Sequence, residues 1–150
     1  MRSVSPGFDA LNPRPGAPDI SGNLRIASFN VLNFFSTLDN GKAVCGPLQN
    51  ENCRGADSGV EQRRQLHNTV TALALLDADI VGLMELENNA TESLEMLVDA
   101  LNDRVGDGEY TYVNTGTILF DTIKTGFMYR TSRIALQGKH ALLDSGTDSR

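Results

Sequence analysis

Two polar residues lie at the ends of apolar segments, and both have side chains that suit the binding of a cation or a phosphate group. Glu85 follows Ile80–Met84, an apolar run with the length of a buried strand. A carboxylate in such a place is costly unless a cation pairs with it. Asn30 lies in Leu24–Leu32, and its amide can orient a ligand without adding charge. The structural alternatives are a Glu85 that begins a solvated loop and an Asn30 that only satisfies neighbouring backbone groups.

A helix is predicted between these two strands, over Ser58–Asp77. Ser58 and Glu61 have the spacing of a capping box. One apolar face follows at helical spacing, formed by Leu66, Val70, Leu73 and Ala74. A strand–helix–strand crossover places its strands in parallel. We therefore expect Asn30 and Glu85 to meet beyond the carboxyl ends of adjacent strands, where α/β sites form.

The remaining pattern completes an α/β domain with a mixed sheet. A second helix is predicted to start at Asn89, with Glu92 three residues on and a C-terminal cap at Gly106. Its apolar stripe is formed by Leu94, Leu97, Val98 and Leu101. Three closely spaced strands follow, which indicates antiparallel pairing: Tyr110–Asn114, Ile123–Arg130 and Ile134–Leu136.

The N-terminal residues and the composition set limits on the organisation of the chain. Prolines and glycines break Met1–Gly22, so residues 1–23 are predicted to be a linker or extended arm and residues 24–150 the domain. No apolar stretch is long enough to span a membrane. A net charge of −6 disfavours broad attraction to nucleic acid. It does not exclude a metal-dependent nuclease, because bound cations invert the local charge.

A long loop, predicted over Asn33–Asp57, contains both cysteines of the chain. Cys45 and Cys53 form a disulfide if the protein is exported, and are free thiols in a reducing cytosol. No second Cys or His pair lies nearby at the spacing of a zinc site. Basic residues are found in this loop and at the start of the helix, where they form a solvated surface or a rim that contacts phosphate: Arg54, Arg63, Arg64 and His67.

The two strand ends together resemble a known family. Arg25–Asn33 (RIASFNVLN), followed by Ala78–Glu85 (ADIVGLME), is similar to the endonuclease/exonuclease/phosphatase family, which has the fold of deoxyribonuclease I. Other segments resemble the large secreted extracellular nucleases of bacteria: Cys45-Gly46-Pro47, Cys53-Arg54-Gly55-Ala56, Arg64-Gln65, Glu85-Leu86-Glu87-Asn88 and Asp121-Thr122-Ile123-Lys124. The resemblance covers residues 24–143.

The resemblance implies a secreted, metal-dependent phosphodiester hydrolase acting on nucleic acid. The chain would be the N-terminal half of a four-layer α/β sandwich, a mixed sheet with flanking helices. Glu85 would bind a divalent metal with Asn30 beside it, both as catalytic residues; Mg²⁺ is expected, with Mn²⁺ or Ca²⁺ as alternatives. Cys45 and Cys53 would form a disulfide. Residues that would contact substrate are Arg54, Arg64, Asp121 and Lys124. For Lys124 the alternative is a lysine that protects a strand edge.

The sequence also departs from the family. The Gly-Asp-x-Asn segment and the terminal Ser-Asp-His that supply the general base are missing, and His67 and His140 match neither. We therefore expect the chain by itself to be inactive until the second half of the domain completes it. Alternatives are a non-catalytic binding or scaffold module with the same fold, or a family phosphatase or sphingomyelinase. Glu87 is expected to face solvent or to support its loop.

Overall fold

The computed structural model describes residues 21–143 of the chain. Two helices and six strands follow one another in the order β1 (Ile26–Phe34), β2 (Ala43–Cys45), β3 (Glu51–Asn52), α1 (Gly59–Leu76), β4 (Ile80–Glu87), α2 (Glu92–Val105), β5 (Tyr110–Tyr112) and β6 (Ile123–Arg130). The fold is therefore mixed α/β, as the sequence predicts. The linker predicted over residues 1–23 lies almost wholly outside the described residues.

A mixed four-stranded sheet forms the centre of the domain. Its strand order is β1-β4-β6-β5, with β1 parallel to β4 and the other neighbours antiparallel. The α1 crossover thus places β1 beside β4, as expected for a strand–helix–strand unit. The predicted antiparallel pairing at one side of the sheet is likewise confirmed by β5 and β6.

Both helices pack on the same face of this sheet. Inward-facing strand residues and apolar helix residues form one buried cluster that includes Val31, Val81, Leu83, Met128, Val70, Leu73, Leu97 and Leu101. The opposite face, which we call the open face, exposes Ile26, Asn30 and Phe127. Neither helix is long and apolar enough to cross a membrane in the part of the chain that the structure describes.

Helix α1 begins and ends with residues that satisfy free backbone groups. The Ser58 hydroxyl accepts a hydrogen bond from the Glu61 backbone N–H, but the Glu61 carboxylate pairs with Arg64 instead of completing the capping box. At the other end Asp77 adopts a left-handed conformation and accepts hydrogen bonds from Arg25 and Arg130. The bond from Arg130, with the Arg25 charge nearby, lowers the pKa of the Asp77 carboxyl.

Several predicted boundaries differ from the structure. The first strand runs to Phe34, two residues beyond the predicted end at Leu32. After an irregular stretch, Phe34 still pairs with Leu86 of β4. Helix α2 begins after Thr91, two residues later than predicted, but the Asn89 side chain still accepts from a first-turn N–H, that of Ser93. The predicted long loop contains the β2–β3 hairpin. Residues 134–136 form no strand, because β6 is already paired on both sides and the chain turns back at Arg130, whose carbonyl accepts from the Ile134 N–H.

The two cysteines form the disulfide that the sequence predicts. Cys45 ends β2 and Cys53 follows β3, so the bond closes the hairpin across a separation of eight residues. Both sulfur-bearing side chains are buried and pack with Phe35, next to Ile123 of β6. The disulfide therefore holds the hairpin against the carboxyl end of the sheet.

Removal of this disulfide is expected to destabilise the chain. The double variant Cys45→Ser/Cys53→Ser should lose about 2–3 kcal/mol of unfolding free energy, because the unfolded chain regains the entropy of a closed loop. Urea denaturation followed by circular dichroism measures the change, with the reduced wild type as a reference. Equal midpoints for the oxidised wild type and the double variant would contradict the prediction.

Candidate functional site

An irregularity at the carboxyl end of β4 turns Glu85 towards the open face. Up to Leu83 the strand alternates regularly, but Met84 and Glu85 both stand opposite Thr125 of β6. Leu86 then returns to the core, where it is fully buried. This extra residue is a β-bulge, and Glu85 adopts a positive φ of 65° within it. Without the bulge, alternation would point the Glu85 side chain into the core.

The bulge brings Glu85 into contact with Asn30. The Asn30 Nδ2 atom donates a hydrogen bond of 2.7 Å to Glu85 Oε1. The backbone N–H of Asn33 donates to Glu85 Oε2 at 3.1 Å. The two residues that the sequence places at the ends of adjacent strands therefore meet at one edge of the sheet, as the crossover predicts. We call this contact the Asn30–Glu85 pair.

The orientation of the Asn30 amide is set by two neighbours. Its Oδ1 accepts from the Leu32 backbone N–H at 2.8 Å, which can only donate. Its Nδ2 therefore faces the Glu85 carboxylate, which can only accept when ionised. An amide nitrogen does not ligate a cation, so in this arrangement Asn30 Nδ2 orients the carboxylate and Glu85 offers the charged oxygen to a metal.

Two glutamines of α1 hold the irregular end of β1. Leu32 and Asn33 both have positive φ, so their carbonyls leave the regular ladder. Gln65 Nε2 donates to the carbonyls of Val31 and Leu32, the latter at 2.7 Å. Gln62 Nε2, one helical turn earlier, donates to two carbonyls further along the chain, those of Phe35 and Ser36. The two side chains fix the backbone that donates to Glu85.

Glu87 is buried, contrary to the expectation that it faces solvent. Only 3% of its surface is exposed. Its Oε2 accepts from the backbone N–H and hydroxyl of Ser36 and from the N–H of Thr37, at 2.9–3.0 Å. Its Oε1 lies 3.4 Å from Cys45 Sγ, a disulfide sulfur without a hydrogen to donate, so this is a van der Waals contact. Glu87 supports the loop after β1, which agrees with the other part of the expectation.

Asn88 and Lys124 hold a second loop, residues 116–122, beside the pair. The fully buried Asn88 amide bonds the N–H and carbonyl of Ile118 and the carbonyl of Asp121, at 2.6–2.8 Å. Lys124 Nζ donates to the carbonyls of Asn89, Ala90 and Gly116, at 2.6–2.9 Å. These contacts connect the loop to the segment that follows β4.

Lys124 lines the hollow beside Glu85, and its ammonium group is bound within the protein. Its side chain is buried, and burial lowers the pKa of its ammonium group although Glu92 and Glu87 oppose the shift. Three carbonyls occupy its donors. β5 pairs with residues 128–130 of β6 and does not reach Lys124, so the three carbonyl contacts define its role. The geometry makes it a positioning residue for the loop beside the pair.

The arginines predicted to contact substrate line a polar hollow next to Asn33. Arg54, Arg64 and Gln65 lie along it. Arg64 is mostly exposed and pairs with Glu61 at 3.4 Å, and Arg54 pairs with Asp121 across 3.6 Å. Exposed ion pairs of this kind are weak, so both guanidinium groups are free to exchange partners. No histidine lines this hollow or the hollow beside Glu85, among the residues that the structure describes.

The donor set fits a hard divalent cation only in part. Each Glu85 oxygen accepts one hydrogen bond and keeps capacity for a cation, and oxygen ligands suit Mg²⁺, Mn²⁺ and Ca²⁺. No group of three or more His, Cys, Asp or Glu side chains converges between residues 21 and 143. Water, phosphate or residues outside this range would have to supply the other ligands.

Comparison of the chain with family models, curated proteins and solved structures returned no match.

The residues that support the pair are harder to predict from the sequence. Gln62 and Gln65 are spaced one helical turn apart, which is a usable signal for a shared helix face. Glu87 and Asn88 follow the strand as ordinary polar residues, and only the loops around them show that they are buried. The sequence therefore predicts the contact between Asn30 and Glu85 but not most of the residues that hold this pair in place.

Proposed function

We propose that this chain forms the N-terminal half of a metal-dependent phosphodiester hydrolase with a deoxyribonuclease I-like four-layer sandwich, a secreted nuclease acting on DNA and in some settings RNA. The observation that carries the proposal is the Asn30–Glu85 pair at the carboxyl ends of two parallel strands. A carboxylate held by an amide and a backbone N–H is a fixed ligand with free lone pairs, which favours a cation-binding role over a solvated loop residue.

Each candidate residue would have a separate role in phosphodiester hydrolysis. Glu85 would hold the divalent cation, Mg²⁺ in our proposal, and Asn30 would keep the carboxylate in place. The cation, when bound, neutralises charge on the phosphate oxygens and lowers the pKa of a bound water. Arg54 and Arg64, in the polar hollow beside Asn33, would contact flanking phosphates.

The open face of the sheet supports the proposal that this is half of a domain. Ile26 and Phe127 are more than half exposed there, and Ile80 of β4, which pairs with Ile26, lies on the same face. A sheet with one bare apolar face is typical of a layer that packs against another. The second half would bring the general base, which the hollows described here lack. A binding module without catalytic activity remains the second candidate, favoured by that same lack.

Metal binding at Glu85 is testable on the chain itself. Addition of Mn²⁺ to isotopically labelled chain should broaden the backbone amide signals of residues 32–34 and 84–86 first, because paramagnetic relaxation falls steeply with distance from the ion. Glu85→Gln removes the charged ligand and should abolish this selective broadening.

The exposed carboxylate of Asp99, on α2, provides the matched control. Asp99→Asn has the same charge change and should leave the broadening pattern of the wild type intact. Broadening that is spread over all acidic residues, or that survives in Glu85→Gln, would show that Glu85 is not the metal ligand and would remove the basis of the proposal.

A further inference from the structure

A second hollow adjoins the Asn30–Glu85 pair, and its character is apolar. It has a volume of about 320 Å³ and is lined chiefly by Met84, Ile118, Leu119 and Ile123, with Asn30 and Glu85 at its edge. We call it the apolar hollow. The Arg54–Asp121 ion pair connects it to the polar hollow, because Asp121 lines the one and Arg54 the other.

The loop that walls the apolar hollow presents large apolar side chains to water. Leu119 is 58% exposed and its neighbour Phe120 is 75% exposed. Leu119 also has a positive φ of 50°, a conformation that costs a residue with a Cβ roughly 1–2 kcal/mol. Such strain persists only where the surroundings fix the backbone, and it is concentrated at functional sites.

The surroundings do fix this backbone. Asn88 bonds both sides of the tip, at Ile118 and Asp121, and Lys124 holds the loop at Gly116. Leu119, which lines the hollow, is therefore held beside the pair, and the exposed Phe120 follows it in the same fixed loop. A rigid, exposed apolar surface next to a cation site indicates a ligand with a flat apolar part.

We propose that the apolar hollow binds a nucleobase of the substrate, which packs against Leu119, while the exposed Phe120 follows Leu119 in the same loop. This deepens the proposed function, on which it depends. The phosphate would lie at the Asn30–Glu85 pair, the adjacent base in the apolar hollow and the next phosphate near Arg54. Base packing on apolar and aromatic side chains tolerates every sequence, because each base has a flat π-face.

A lipid surface is the competing occupant for two exposed apolar residues. One observation favours the base. The receiving surface is a hollow continuous with the pair, whereas insertion into a bilayer needs only a protruding tip.

Leu119→Asn tests the proposal with little risk to the fold, because Asn tolerates a positive φ better than Leu does. Binding of a fluorescent oligothymidylate, in the presence of Mg²⁺, is measured by anisotropy. The variant should bind roughly fivefold to a hundredfold more weakly, the effect of losing one packed base. An abasic oligomer of equal length should bind the wild type and the variant alike. Leu136→Asn, at another exposed leucine, should change neither affinity.

Phe120→Trp supplies a second measurement, since the chain has no tryptophan of its own. Oligothymidylate should quench the new fluorescence, and the abasic oligomer should not. If Leu119→Asn binds both oligomers as the wild type does, or if the tryptophan is not quenched, the base is not in the hollow.

The outcomes separate this inference from the proposed function. Oligomer binding that requires Glu85 and Mg²⁺ but is unchanged in Leu119→Asn would overturn the nucleobase site alone. A wild-type chain that binds neither oligomer and shows no Glu85-dependent broadening by Mn²⁺ would overturn both proposals. Co-sedimentation with phosphatidylcholine vesicles that Leu119→Asn reduces, while oligomer binding is unchanged, would assign the loop to a membrane and not to a base.

Discussion

In the complete domain of the proposed hydrolase, Glu85→Gln is expected to lower turnover by roughly a hundredfold to a thousandfold, the scale on which one fixed charge-stabilising group acts. The amide keeps the size of the carboxylate but has no charge for the cation. It would also place either a donor or a neutral oxygen opposite Asn30 Nδ2, which donates to Glu85 at 2.7 Å in the wild type. Steady-state cleavage of plasmid DNA at saturating Mg²⁺ measures the effect.

Two controls accompany this prediction. Asn30→Ala should reduce turnover less than Glu85→Gln, because it loosens the carboxylate without removing it, and Asp99→Asn should have no effect. Partial rescue of Glu85→Gln by high Mg²⁺ is compatible with a lost ligand. Turnover within a few-fold of the wild type at limiting Mg²⁺ would show that Glu85 has no role in the chemistry. So would cleavage by the 150-residue chain alone that a chelator does not abolish.

Glu87→Ala is expected to cause the largest loss of stability, about 3–5 kcal/mol. The Glu87 carboxylate, 3% exposed, accepts three hydrogen bonds from Ser36 and Thr37. Alanine leaves those donors without an acceptor beneath the disulfide hairpin and leaves a cavity as well. Since domains of this size are stable by about 5–15 kcal/mol, the variant should be close to unfolding at moderate temperature. Urea denaturation at neutral pH measures it.

Glu87→Gln tests whether the acceptor or the volume matters more. The amide oxygen preserves one acceptor, so this variant should lose about half as much free energy as Glu87→Ala. Asp99→Ala, at an exposed carboxylate, should stay within about 0.5 kcal/mol of the wild type. A Glu87→Ala variant as stable as Asp99→Ala would mean that the hydrogen bonds at Ser36 and Thr37 contribute nothing to the folded state.

The centre of the site could be predicted because it depends on strand direction. Two apolar runs separated by an amphipathic helix define parallel neighbours, and polar residues at their ends must then meet, as Asn30 and Glu85 do. The helix spacing also placed Val70 and Leu73 in the core correctly. Strand direction and the apolar face of a helix both follow from short-range patterns in the sequence. These two features could therefore be predicted without the structure.

The register break in β4 could not be predicted in the same way. Regular alternation would put Glu85 and Glu87 on the same face of the sheet. In the structure Glu85 contacts Asn30, whereas Glu87 is buried under the disulfide hairpin. The break depends on Leu86 entering the core against Leu94 and Gly126, a contact between distant segments. The failure of the predicted strand at 134–136 has a similar cause, because the pairing of β6 on both sides is a property of the whole sheet.

At position 85 the backbone conformation and the proposed metal-binding role favour different residues. A glycine or an asparagine at this position would adopt the positive φ of Glu85 at lower conformational cost. Either would also delete the carboxylate of the Asn30–Glu85 pair. Selection of this domain for thermal tolerance or expression yield alone would therefore tend to enrich such replacements and give stable protein that lacks the proposed cation ligand. Libraries made from this chain should keep glutamate at position 85 or include a screen for metal binding.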